Sequence, residues 1–254
     1  MLIDSHSHFD HRRFDQDRPA AWQRAHNAGV SAQLIPAVTA ADWPRLKETC
    51  ANFAGLYPAY GLHPMFCDEH KDSDLGSLAE WIEREQPVAL GECGLDFYIE
   101  NPNRERQQEL FAAQLEMARE HNLPVIIHAR KSVEDVIITL QKYPDLRGVL
   151  HSYSGSLQQA NRLIEIGFIM SFGGPVTYPN ASRLQQIVAE LPLECIMLES
   201  DSPDQPDIEH RGQRNEPSYL PLILQKISEI RDEPAELIAA QTTANAQQLF
   251  GIEL

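Results

Sequence analysis

The sequence predicts a TIM-type (β/α)8 barrel, regular or distorted, and three observations carry that expectation. Eight short apolar runs alternate with amphipathic segments along the whole chain. The length of 254 residues is about what one such barrel needs. Histidines and acids recur at the C-terminal ends of the apolar runs, the edge on which barrels of this kind carry their chemistry.

The elements follow in order. Residues 2–4 form a strand almost at the N-terminus. Segment 19–28 opens with Pro19, a helix-start residue, and closes before Gly29. Strand 33–38 precedes segment 41–53, which follows Thr39 as N-cap. Strand 57–62 precedes segment 75–85, which follows Ser73 and Asp74. Strand 88–91 precedes 104–121, the longest helix, with Leu110, Phe111, Gln114, Leu115 and Ala118 near a 3.6-residue period. Strand 125–128 is followed by helix 133–142 after Ser132. Strand 148–151 is followed by helix 157–166, between Ser156 and the C-cap signal Gly167. Strand 168–172, helix 181–190 and strand 195–199 come next. Helices 218–231 and 235–249, divided by Pro234, close the chain. Such alternation indicates parallel β-α units. No Gly-x-Gly-x-x-Gly and no Walker loop occurs, so an open dinucleotide-binding sheet and a nucleotide cofactor are not expected. With no linker, repeat or low-complexity tract, one domain is expected over 1–254.

The apolar fraction of 43% suits a globular core. The net charge of −16, from 37 acids against 21 bases, opposes broad adhesion to DNA or to an anionic membrane. It permits a nucleic-acid substrate gripped locally through metal ions. No apolar run approaches the roughly 20 residues of a membrane span, and Asp4 with two histidines stands where a signal peptide needs positive charge. Cys50, Cys67, Cys93 and Cys195 are widely spaced, as separate reduced thiols are. A cytoplasmic monomer is expected.

His6 and His8 sit two residues apart at the end of the first strand. In a strand, residues i and i+2 share a face about 6–7 Å apart, so both imidazoles can clasp one cation. Later strand ends add His63, Glu92, His128 with Arg130, His151, and Glu199 with Asp201. The inventory suits two divalent ions: His6 and His8 with Asp201 on one, His128 and His151 on the other, and Glu92 bridging. Zinc, manganese, nickel, iron or magnesium are all candidates for such donors. Cys93, next to Glu92, is expected to face away into the core.

The stretches Asp4-Ser5-His6-Ser7-His8-Phe9-Asp10, Gly61-Leu62-His63-Pro64, Gly91-Glu92-Cys93-Gly94-Leu95-Asp96, Leu123-Pro124-Val125-Ile126-Ile127-His128, His151-Ser152-Tyr153-Ser154-Gly155-Ser156 and Leu198-Glu199-Ser200-Asp201-Ser202-Pro203 resemble, in order, the motifs of the TatD-type metal-dependent deoxyribonucleases. These belong to the amidohydrolase-like barrels, and the resemblance spans essentially the whole chain. It implies His6, His8, Glu92, His128, His151 and Asp201 as ligands, the set already read from the residues. Ser5, Ser7, Ser152 and Tyr153 depart from residues that are often Thr, Cys, Cys and Phe in the family; none is a ligand position.

The expected reaction is hydrolysis of phosphodiester bonds in DNA ends or small phosphodiester or ester substrates. Asp201 and Glu92 serve the attacking water, Asp201 as general base. Arg130 pairs with phosphate, and His63 contacts a phosphoryl oxygen or protonates the leaving group, or else caps the turn at Pro64. Glu199 orients a histidine. Arg211 and Arg214 are candidates for guiding a strand end. The alternatives are amide or ester hydrolysis, including aminoacyl-tRNA deacylation, and a noncatalytic metal or nucleic-acid binding module. Related barrels often bridge their metals with a modified lysine at the end of strand four, where this chain has Glu92.

Overall fold

The apolar runs form strands and the amphipathic segments form helices. The computed structural model describes residues 1–253. The strands are β1 Leu2–Asp4, β2 Val30–Pro36, β3 Leu56–Tyr60, β4 Ala89–Asp96, β5 Val125–Arg130, β6 Gly148–Leu150, β7 Phe168–Phe172 and β8 Ile196–Leu198. The helices are α1 Arg18–Asn27, α2 Trp43–Asn52, α3 Ser73–Glu85, α4 Arg104–Glu120, α5 Val133–Leu140, α6 Leu157–Glu165, α7 Ser182–Glu190, α8 Leu220–Arg231 and α9 Ala235–Phe250. The strands follow chain order in one eight-stranded sheet, and the pairs β1–β2, β3–β4, β4–β5, β5–β6 and β7–β8 are parallel. This is the (β/α)8 barrel that the alternation predicts.

The chain divides into two compact units, Met1–Ile35 with Thr49–Tyr57 and Met170–Leu254, and Pro36–Glu48 with Pro58–Ile169. In the first, Ile3 lies opposite Ala32 and Asp4 opposite Gln33. Met170 lies opposite Ile196 and Phe172 opposite Leu198. The Ser5 amide donates to the Leu198 carbonyl at 2.9 Å, which ties the end of β1 to the end of β8. α9 packs against both strands. There the buried Asn245 amide donates to the carbonyls of Leu193 (2.9 Å) and Ile196 (2.7 Å), satisfying backbone acceptors that burial would otherwise strand.

In the second unit, β4 is the spine. It runs to Asp96, past the expected end at Gly91, and all eight of its residues are buried. Its polar and glycine positions masked that continuation. The β4–β5 register shifts between Gly91 and Cys93, so Glu92 is an extra residue in the ladder, a bulge of the kind that re-aims a side chain near a site. Gly94 has φ +134°, and a Cβ there would meet the His128 carbonyl oxygen at 2.1 Å, so only glycine fits. Two buried glutamines of α4 grip strand ends. Gln107 bonds both the amide and carbonyl of Asp96, at 2.8 and 2.9 Å. Gln114, which the helical period places among apolar residues, does the same for Leu62 at 2.7 and 3.1 Å.

Boundaries shift elsewhere. β2 begins at Val30 rather than 33. β8 begins at Ile196 because Leu193–Cys195 forms a 3-10 turn. Ser156 caps α6 in a capping box with Gln159. Thr39 and Ser132 are not side-chain caps: their hydroxyls go to Asp42 Oδ2 (2.6 Å) and the Leu95 carbonyl (2.6 Å).

Candidate metal centre

The first unit gathers His6, His8, Glu199 and Asp201. β1 stops at Asp4, so His6 and His8 lie beyond the strand rather than in it. Their Nε2 atoms are 3.3 Å apart, and they stand 3.6 and 3.8 Å from Asp201 Oδ1. A Glu199 carboxylate oxygen lies within 4.8 Å of a His6 ring nitrogen, and Glu199 is fully buried.

Hydrogen bonds between the two strand ends hold this geometry. Asp4 accepts from the amides of His6 (3.2 Å) and Ser200 (2.9 Å) and from the Ser200 hydroxyl (2.6 Å). The Ser5 and Ser171 hydroxyls pair at 2.7 Å, and those of Ser7 and Ser202 at 2.9 Å. Burial pushes the Asp4 carboxyl up to about 7, against the pull of its Ser200 and His6 bonds. The Asp201 amide donates to the His6 carbonyl at 2.9 Å. Asp201 itself sits at φ +54°, a left-handed conformation that Asp tolerates better than most residues. Gln205 donates its side-chain amide to Asp201 Oδ2.

The second unit gathers His63, Glu92, Asp96, His128 and His151. Glu92 Oε1 faces His63 Nε2 at 3.0 Å, His128 Nδ1 at 2.9 Å and His151 Nε2 at 2.7 Å. His128 Nδ1 and His151 Nε2 are 3.1 Å apart. On its far side His128 turns Nε2 to Asp96 Oδ2 at 2.9 Å. Burial opposes charge on both His128 and Asp96, yet their mutual hydrogen bond prevails: His128 is raised and Asp96 lowered. Cys93 is buried, donates weakly to the Ile126 carbonyl at 3.8 Å, and is pushed up by burial; it is core, as expected.

These donors fit metal ions. With Nε2–H given to Asp96, neutral His128 presents the Nδ1 lone pair to a carboxylate oxygen, and two acceptors 2.9 Å apart need a cation between them. A proton is one such cation, as the raised His128 pKa describes, and a metal ion is another. Nitrogen ligands of zinc-type ions bind at about 2.0–2.1 Å, which puts neighbouring tetrahedral ligands roughly 3.3–3.4 Å apart. The observed spacings fall on either side of that value.

His63 is set up differently. Its Nδ1 accepts from the Met65 amide at 3.0 Å, which leaves the ring proton on Nε2, toward Glu92. His63 thus caps the turn at Pro64 and turns its Nε2–H toward Glu92. Arg130 is half-exposed, with its guanidinium 4.0 Å from the Tyr98 ring centre and Nη1 3.9 Å from Asp96 Oδ2. Arg214 is not available to a substrate: it is bound to Asp17 and Glu216 (2.6–2.8 Å) and lies over Phe14. Arg211 remains exposed, with its guanidinium 5.7 Å from the Tyr178 ring centre.

A profile of the family described as TatD related DNase matches residues 3–251. The chain belongs to the TatD family. This TatD-family chain is 40% identical over 254 residues to YjjV of Escherichia coli K12, an uncharacterized metal-dependent hydrolase, with 99% of this chain and 98% of YjjV covered. It is 34% identical to YabD of Bacillus subtilis 168, also an uncharacterized metal-dependent hydrolase, with 99% and 100% covered. The crystal structure of E. coli YjjV matches with a TM-score of 0.96 at 39% identity, over 99% of this chain and 98% of that one. A TatD-family hydrolase from Entamoeba histolytica shares the fold, with a TM-score of 0.86 at 19% identity over 98% and 97% of the two chains.

Sequence reasoning missed Asp96, Asp4 and Gln205. Asp96 was within reach, because Glu92, Gly94 and Asp96 share one face by strand alternation. Asp4 looked like an ordinary strand-end acid. Gln205 meets Asp201 through a loop, and no periodicity marks it. Among the described residues, no helix is long and apolar enough to cross a membrane.

Proposed function

We propose that this TatD-family protein is a metal-dependent hydrolase of phosphodiester bonds, a deoxyribonuclease acting at DNA ends or on small phosphodiesters, carried on one barrel domain over 1–254. The observation that carries the reading is the convergence of His63, His128 and His151 on the buried Glu92 Oε1 at 2.7–3.0 Å. His6, His8, Glu92, His128, His151 and Asp201 would hold two divalent ions. Bound ions supply positive charge that acidifies water and offsets charge developing on a phosphoryl oxygen.

The chain's own groups do the rest. Gln205 fixes one oxygen of Asp201, and the other takes a proton from the attacking water as its oxygen bonds to phosphorus. The bond from phosphorus to the leaving oxygen breaks, and that oxygen takes up the proton that Asp201 removed from the water, while the His63 Nε2–H donates a hydrogen bond to a phosphoryl oxygen. The products are a phosphate monoester and an alcohol. Arg130 pairs with phosphate oxygens through its N–H fork. Asp96 holds the proton of His128 at Nε2, so that Nδ1 stays a ligand. A glutamate rather than a lysine at the bridging position supports phosphodiester over amide chemistry.

The test is a panel of single- and double-stranded DNA, small phosphodiesters, carboxylic esters and aminoacyl-tRNA, each with Mg²⁺, Mn²⁺ or Zn²⁺. The reading expects phosphodiester cleavage that Glu92→Ala abolishes. Cleavage of esters or aminoacyl-tRNA alone would replace it with the acyl-hydrolase alternative.

A further inference from the structure

The turn after β4 carries Tyr98, the one exposed aromatic side chain among the described residues, at 59%. A single exposed ring is ordinary on a protein surface; what sets this one apart is how its turn is held and what lies against it. The chain pins this turn in place. Asp96 Oδ1 accepts from the amides of Tyr98 (2.9 Å) and Ile99 (3.3 Å), and the Phe97 amide donates to the Arg130 carbonyl at 2.8 Å. The Arg130 guanidinium lies 4.0 Å from the ring centre, a cation–π distance. Its 3.9 Å separation from Asp96 Oδ2 is too long for a hydrogen bond, so that carboxylate does not occupy its N–H fork. Asp96 Oδ2 meanwhile holds His128. One carboxylate therefore joins a candidate metal ligand to an exposed ring and a cation. Arg104, the first residue of α4, lies 4.3 Å from the ring centre of the buried Phe97, and Lys131 next to Arg130 is exposed.

We propose that Tyr98 and Arg130 form a nucleotide-binding subsite beside the metal centre. The Tyr98 ring stacks on a nucleobase of the DNA strand, and the Arg130 fork grips the phosphate attached to that nucleoside. Stacking on an aromatic ring is tolerant of base identity, so the subsite selects for the presence of a base rather than for sequence. It also places a phosphate against Arg130 with the orientation that a planar fork imposes. The proposal rests on the phosphodiesterase reading and adds what lies next to the scissile bond.

The test compares two single-stranded oligonucleotides, identical except that one carries an abasic residue at the nucleotide next to the cleaved bond. The metal-loaded protein is assayed for kcat and KM on each, and chelator-treated protein for binding of the same strands by fluorescence anisotropy. Tyr98→Ala is expected to reduce the preference for the base-bearing strand by about 5- to 100-fold, mostly through KM, the range that removing one stacking contact covers. Tyr98→Phe, which keeps the ring, restores most of that preference. Arg130→Ala weakens both strands, and its effect shrinks as salt rises. An undiminished preference in Tyr98→Ala, or a Tyr98→Phe protein as impaired as Tyr98→Ala, would overturn the subsite while leaving the phosphodiesterase reading intact. A parent protein that neither binds nor cleaves either strand would remove that reading, and the subsite with it.

Discussion

His128 Nε2 lies 2.9 Å from Asp96 Oδ2, and this one contact fixes which ring nitrogen faces the Glu92 carboxylate. A carboxylate behind a metal-binding histidine sets its tautomer and raises its basicity. Asp96→Ala should therefore weaken metal binding by about 10- to 100-fold at the His128 side. A chelator-competition titration measures this directly. Unchanged affinity would mean that His128 is oriented by packing alone.

Asp4 gives a pH dependence of stability. Its carboxyl is raised from 3.8 to about 7, so the folded protein holds this proton where the unfolded chain has lost it. The stability it contributes is fully present below about pH 4 and is lost as pH rises toward 7. Each tenfold change in proton affinity is about 1.4 kcal/mol, so ionising Asp4 costs the fold on the order of 4 kcal/mol. Asp4→Asn keeps a neutral side chain in place. Urea titrations in chelator between roughly pH 5 and 8 should show a shallower decline for this variant than for the parent. Parallel declines would contradict the assignment.

Arg214 acts as a structural clamp. With Arg24 it neutralises Asp17 and the buried Glu216 through contacts of 2.6–2.9 Å. The Asp17 carboxyl is lowered chiefly by its bond to Arg214. Glu216 is also lowered, because the two arginines outweigh its burial. Folded values below the unfolded ones mean that this stability is present above roughly pH 4 and lost as pH falls. Arg214→Ala should destabilise by about 1–3 kcal/mol at neutral pH, leaving a buried acid short of a partner. That corresponds to a drop of roughly 2–10 °C in Tm, and the difference should shrink in acid. Calorimetry at two pH values checks both parts.

Gln205 predicts a kinetic effect without a binding one. It holds Asp201 Oδ2 from four residues away. Gln205→Leu should lower kcat by about 10- to 100-fold by loosening the base, with metal content unchanged. Equal loss of metal would instead make Gln205 a support for the ligand set.

The legible parts of this fold were those written locally. His128 and His151 follow short apolar runs directly and His6 comes two residues after another, so their positions near strand ends could be read off the chain. Glu92 could be too, although the bulge that aims it could not, because register depends on a partner strand. The continuation of β4 through Gly94 was hidden because glycine is a poor strand former unless another backbone crowds it, as the His128 carbonyl does here. Gln114 passed for a core position because the helical period reports which face is buried and not what is bonded there. Arg214 looked free for a substrate because its two acids, Asp17 and Glu216, meet it only through tertiary packing.

We propose that the histidines and acids of both units, Glu92 among them, hold divalent ions. Elemental analysis of protein purified without chelator tests it most directly. The account predicts about two ions per chain, with a marked loss in Glu92→Ala that folds as the parent does. A parent protein free of metal above background, and unable to take up Zn²⁺, Mn²⁺ or Mg²⁺ on addition, would contradict it.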